Sequence, residues 1–150
     1  TKPIPMMVSK LEQLEGIAII DVRTKLIAKH FLPGALTLVL PVDPRLDKSY
    51  NNGLETIAIR IPDEEFVLSL IDELDTPLLV TSANQSGAPT ALKYEDVLEQ
   101  LPNIDGIVLG KCRALQASTI VDCTKEDLKI LREGPISLEE LVCVIENKSK

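Results

Sequence analysis

Apolar and β-branched residues fall in short runs along the chain, at Met6–Ser9, Thr37–Pro41, Thr56–Ile61, Leu78–Thr81, Ile107–Leu109, Ser118–Asp122 and Leu128–Leu131. Runs of this length and composition predict strands. Amphipathic stretches lie between several of them. One predicted helix ends in Lys29-His30-Phe31, just before Pro33. A second is capped by Asp63 and runs through Asp75, with Phe66, Leu68, Leu70, Ile71 and Leu74 as its apolar positions and acidic residues in its first turn. Tyr94–Leu101 and Leu138–Ile145 read similarly, and in the last Ser137 is the N-cap with Glu140 completing a capping box. Strands alternating with helices argue for an α/β fold, a twisted open sheet flanked by helices. Many short strands with few crossover helices make that sheet mixed rather than purely parallel. Ligands bind such sheets at strand ends.

Pro and Gly punctuate the chain between periodic segments, and no internal repeat or Gly/Ser linker divides it, so residues 1–150 read as one domain. At 150 residues with 45% hydrophobic and 26% charged content, the chain can bury a core without a metal or disulfide staple. Cys112, Cys123 and Cys143 form no C-x-x-C pair and are expected to be buried thiols. His30 is the only histidine, which excludes a His-based metal site and a Ser-His-Asp triad. A net charge of −7 opposes non-specific binding to a phosphate backbone. The opening residues resemble no secretory signal and no apolar run approaches transmembrane length, so a cytoplasmic location and no membrane partner are expected.

Five segments carry candidate chemistry. In Pro33-Gly34-Ala35-Leu36-Thr37 a helix stops at proline and glycine turns the chain into a strand. In Thr56-Ile57-Ala58-Ile59-Arg60-Ile61-Pro62 one arginine stands among aliphatic residues, on the same strand face as Ala58 and Thr56. It either faces solvent, pairs with an internal carboxylate, or grips a substrate carboxylate with its planar fork. In the segment from Pro77 to Thr90 an apolar strand ends in Thr81-Ser82-Ala83-Asn84-Gln85-Ser86-Gly87-Ala88-Pro89-Thr90. Small hydroxyl and amide residues there either form a plain turn or cradle phosphate oxygens without a Walker lysine. Ser118-Thr119-Ile120-Val121-Asp122 and, after Ile130-Leu131, Arg132-Glu133-Gly134 complete the set.

In this order K-x-F-L-P-G-A-L-T, T-I-A-I-R-I-P, T-S-A-N-Q-S-G-A-P-T, S-T-I-V-D and I-L-R-E-G-P-I-S resemble the YrdC-type threonylcarbamoyl-AMP synthase family across nearly the whole chain. The resemblance implies a deep, positively lined cavity in which a carbamate formed from L-threonine and bicarbonate attacks the α-phosphate of ATP and pyrophosphate leaves. The product would pass to the tRNA threonylcarbamoyl-transferase machinery, with at most a weak contact to tRNA itself. Carried over residue by residue, Thr56, Ser82, Asn84, Thr90, Arg132 and Lys2 would contact ATP. Arg60, the backbone around Val80, Ser118 and Thr37 would form the threonine pocket. No side chain is expected to act as acid, base or nucleophile, since positioning and electrostatics carry phosphoryl transfer. No protein metal ligands are expected, although Mg2+ bridging the phosphates is.

The chain departs from the family pattern at its start. Family members begin with a strand, a helix and a K-x-R-P segment, whereas Thr1-Lys2-Pro3-Ile4-Pro5 resembles the stretch just after it. This piece alone is therefore expected to be inactive. Met7 stands where some members place a threonine-contacting histidine. Two rival readings are a hydrogenase-maturation carbamoyltransferase domain, which belongs to longer proteins with zinc segments, and a non-catalytic RNA-binding or scaffold module, which the acidity disfavours.

Overall fold

The computed structural model describes residues 4–113 and 116–147. They form two compact units: one from the chain up to Val80 together with Ala117 onward, the other Thr81–Gln116.

The first unit holds a sheet of β1 (Met6–Met7), β2 (Leu36–Pro41), β3 (Thr56–Arg60), β4 (Leu78–Leu79), β5 (Thr119–Asp122) and β6 (Lys129–Arg132), in the order β4-β1-β3-β2-β5-β6. The sheet is mixed: β1 runs parallel to β3 and β2 to β5, while β2–β3, β1–β4 and β5–β6 are antiparallel. With it come α1 (Val22–Phe31), α2 (Glu65–Leu74) and, late in the chain, the helix over Leu138–Asn147.

Alternation along the strands sorts residues onto two faces. Leu36, Leu38, Leu40, Ile57, Ile59 and Val121 point to one face and are at most 1% exposed. They pack with Ile27 and Ala28 of α1 and with Leu141 of the last helix in one core. Each such aliphatic side chain contributes about 2 kcal/mol by leaving water. The opposite face carries Thr37, Val39, Thr56, Ala58, Arg60, Ile120 and Asp122. Several of these are only half-buried, so this face is where polar chemistry can gather.

Local signals explain the helix ends. The Asp21 carboxylate accepts the Thr24 N–H at 2.7 Å and caps α1. The chain leaves α1 through a cis Leu32–Pro33 bond to Gly34, where a Cβ would strike the Phe31 carbonyl. The second helix starts at Glu65 with Glu64 at its N-cap, not Asp63, and it stops at Leu74 because Asp75 turns left-handed at φ 49°. Ser137 and Glu140 form the expected capping box: Ser137 N–H donates to Glu140 Oε2 at 2.8 Å and Glu140 N–H donates to Ser137 Oγ at 3.2 Å.

The second unit contains α3 (Tyr94–Gln100), whose start is held by Asp96 accepting the N–H of Leu92 and Lys93; the helix over Leu138–Asn147 is therefore α4. The strand expected at Ile107–Leu109 does not form. Gly106 and Gly110 bracket the run, Val108 and Leu109 stay 61% and 71% exposed, and among the described residues the pairing nearby is a single bridge, Lys93 to Lys111. The cysteine expectation is also corrected. Cys123 is buried, but Cys112 and Cys143 are exposed. Cys112 follows that unpaired run, and Cys143 lies two residues past the core-facing Leu141, on the other side of α4.

Candidate functional site

The register lines up residues from distant parts of the sequence. Met7 pairs with Arg60, Thr37 with Ile120, and Ile120 with Arg132. Leu38 pairs with Ile59, so one step further along the same antiparallel ladder Thr37 stands beside Arg60. Paired residues share a face, and Met7, Arg60, Thr37, Ile120 and Arg132 thus form a row across five strands on the face opposite the one that packs with α1 and α4.

Hydrogen bonds fix the polar members of that row. Arg60 Nε donates to the Gly34 carbonyl at 3.0 Å. Arg132 donates from Nε and Nη2 to the Ser118 carbonyl at 3.0 and 2.8 Å, and from Nη2 to Ser118 Oγ at 3.1 Å. Ser118 Oγ lies 2.8 Å from Thr37 Oγ1, and both residues are buried. Thr119 anchors the next turn, its hydroxyl donating to the Ile136 carbonyl at 2.8 Å and accepting the Ile136 N–H at 2.9 Å. Gly134 allows that approach: a Cβ there would lie 2.7 Å from the Ser118 carbonyl carbon.

Burial, and then the like charge of Arg132, push the Arg60 guanidinium below its ordinary pKa. Among the described residues the ion pairs are Asp21 with Arg23 and Asp43 with Arg45, so neither Arg60 nor Arg132 has a carboxylate partner. Of the roles open to Arg60, pairing with an internal carboxylate is not seen among the described residues. Arg60 is half-buried and Arg132 exposed, they share one face, and both forks keep donors free.

The other expected residues are distributed as follows. Thr56 shares the Arg60 face but sits four residues down β3, about 13 Å away. The Val80 N–H is occupied by the Pro5 carbonyl at 2.8 Å, leaving the Val80 carbonyl as the backbone group open to a ligand. Ser82, Asn84 and Thr90 belong to the second unit, where Ser82 and Thr90 are exposed. The Asn84 side-chain amide donates to the carbonyls of Gln85 and Ala88 at 3.0 and 2.9 Å, bending its own loop around Gly87 at φ 83°. Lys2 lies outside the described residues. A cavity of about 540 Å3, bordered by Ile19, Arg23, Thr24, Pro41 and Cys123, lies toward the opposite end of the strands from Arg60 and holds none of these residues. The carbonyl of Gly34 and the hydroxyl of Thr119 were missed as site supports. Only the glycine in P-G-A-L-T hinted at the first.

Among the described residues no three His, Cys, Asp or Glu side chains converge into a cage for a cation.

Comparison with known proteins decides the family. The Sua5_yciO_yrdC family, described as telomere recombination, matches residues 1–134. The chain belongs to this family. Among its Sua5 and YrdC relatives, the threonylcarbamoyl-AMP synthase of Bacillus subtilis (strain 168) is 41% identical over 141 residues, which cover 92% of this chain and 40% of that protein. Sua5 of Pyrococcus abyssi, whose crystal structure was solved in complex with L-threonine, is 36% identical with a TM-score of 0.88, covering 96% of this chain and 43% of that one. Escherichia coli YciO, at 23% identity and a TM-score of 0.76 over 92% of this chain and 68% of its own, shares the fold. The mixed open sheet is thus the Sua5/YrdC sheet, and this chain spans about two fifths of the Bacillus and Pyrococcus proteins.

Proposed function

We propose that this member of the family works as an L-threonylcarbamoyladenylate synthase, a nucleotidyltransferase that joins L-threonine, bicarbonate and ATP. What supports the reading is the pair of carboxylate-free guanidiniums, Arg60 and Arg132, on one open sheet face beside the buried Thr37–Ser118 hydroxyl pair. An amino-acid carboxylate and a nucleotide phosphate are the anions such a face would take. The named activity of the Bacillus relative and the L-threonine bound to Pyrococcus Sua5 make threonine the amino acid of choice.

In this reading Arg60, held at its Nε by Gly34, presents its terminal nitrogens to the threonine carboxylate. Ser118 Oγ, oriented by Arg132 and Thr37, and the Val80 carbonyl receive the rest of the amino acid. The threonine amine and bicarbonate give a carbamate and water. A carbamate oxygen then forms a bond to the α-phosphorus as the bond to the bridging oxygen breaks, and pyrophosphate leaves with that electron pair. Arg132 offsets charge on the transferring group, and Thr56, Ser82, Thr90 and Lys2 are the further ATP contacts, whereas Asn84, expected among them, spends its amide on shaping its own loop. None of these residues donates or removes a proton, in keeping with a reaction driven by positioning and electrostatics. Any magnesium would arrive with the phosphates. In this reading the product serves tRNA modification in the cytoplasm, upstream of the transferase that delivers the group to tRNA. Among the described residues no helix is long and apolar enough to cross a membrane.

The test is threonine-dependent release of pyrophosphate from ATP and bicarbonate, measured for the full-length protein. Release that ignores threonine would sink the reading.

A further inference from the structure

The loop from Ser82 to Thr90 is almost wholly exposed, so packing cannot give it a fixed shape. Amides do so instead. Within the loop, Asn84 Nδ2 bonds to two carbonyls, Gln85 and Ala88, and the Ala88 N–H closes on the Gln85 carbonyl at 3.0 Å. Both hydrogens of the Asn84 amide are therefore spent, and Asn84 cannot donate to a phosphate without opening the loop.

The outer clasp comes from one residue that no motif contains. Gln100 ends α3, and it grips both arms of the loop. Its Oε1 accepts the Gln85 N–H at 3.0 Å, its Nε2 donates to the Pro89 carbonyl at 3.2 Å, and its own main-chain carbonyl accepts Gln85 Nε2 at 3.1 Å. The residue type follows from the geometry. One end of the side chain must accept and the other donate, which a carboxylate cannot do, and asparagine is one methylene shorter. The Gln100 carbonyl is one of the last four of the helix, which have no partner inside it, so it needs an outside donor and finds one in Gln85. Among the described residues nothing engages the main-chain N–H of Ser86 and Gly87 or the hydroxyls of Ser82, Ser86 and Thr90. These are the donors left for an anion.

We propose that Gln100 is a positioning residue for the nucleotide: it touches no ligand and holds the 84–90 loop so that those free donors converge on phosphate. The inference rests on the ATP reading of this loop. Its test compares the full-length protein with its Gln100→Ala and Gln100→Glu variants by hydrogen exchange at amides 85–90 without ligand, and by KM for ATP and for threonine. Faster exchange at 85–90, with KM for ATP raised about three- to tenfold and KM for threonine unchanged, is expected for Gln100→Ala. Gln100→Glu, which keeps the acceptor and loses the donor, should fall between. Unchanged loop exchange in Gln100→Ala overturns the clasp. Faster exchange with unchanged KM for ATP, or equal rises for both substrates, overturns its role in nucleotide positioning. Failure of ATP to protect amides 85–90 in the unaltered protein would instead remove the ATP reading, and exchange in the variants would still decide the clasp.

Discussion

Single residues carry the sharpest expectations. Arg60→Lys keeps the charge but loses the planar fork, so kcat/KM for threonine should fall by about ten- to a hundredfold while KM for ATP changes little. Steady-state kinetics with each substrate varied checks this, and unchanged threonine kinetics would count against the carboxylate clamp. The cysteines split by environment. Burial pushes the Cys123 thiol up to about 11, whereas Cys112 and Cys143 are exposed. At pH 8 a thiol-specific reagent should modify Cys112 and Cys143 quickly and Cys123 only as the protein unfolds, because only about one Cys123 in a thousand is then a thiolate. Rapid labelling of all three in the folded protein would contradict it. Arg60 itself was legible in the sequence as an arginine in an aliphatic strand. That its Nε rests on Gly34, and that the charge of Arg132 reaches it, depends on strand neighbours the sequence does not state.

At the scale of elements, the glycine of R-E-G-P has a role beyond turning the chain. Gly134→Ala would push a methyl into the main chain at Ser118 and Thr119, a contact with no flexible side chain to give way. A loss of about 2 kcal/mol or more in denaturant unfolding is expected, with impaired threonine use because Ser118 shifts. By contrast Ser137→Ala removes only the cap of α4, on the far side of the sheet, and should cost about 1 kcal/mol with kinetics intact. Helix α2 illustrates how far periodicity reaches. Its apolar positions were placed correctly, but Ile71 alone is fully buried, while Phe66, Leu70 and Leu74 are 52%, 38% and 52% exposed. A stripe wider than the contact it makes gives the same pattern as one fully covered, so the pattern identified the helix and not its buried edge.

For the whole molecule, acid stability has a named contributor. Hydrogen bonds from the Arg45 side chain, then from its main-chain N–H, hold the Asp43 carboxyl down from its ordinary 3.8 to about 2. A group whose folded pKa is depressed stabilises the fold above its unfolded value. That contribution is complete above about pH 4 and is lost as pH falls through about 2. Urea midpoints between pH 5 and 2 should fall less steeply for Asp43→Asn than for the unaltered protein, and parallel curves would dismiss the linkage.

The sequence by itself determined the element types, the capping box at Ser137, the mixed sheet and the family, because periodicity, caps and motif order are local or linear signals. It overstated the strand at Ile107–Leu109, since an apolar run becomes a strand only where a partner offers its hydrogen bonds. Tertiary structure alone decided strand order, and with it the row Met7, Arg60, Thr37, Ile120 and Arg132. It also decided which donors are spent: Arg132 on Ser118, Asn84 on its own loop, Gln100 on Gln85 and Pro89. Hydrogen-bond satisfaction depends on which groups meet in space, and residues such as Arg132 and Thr37 meet only once β5 has been laid between their strands.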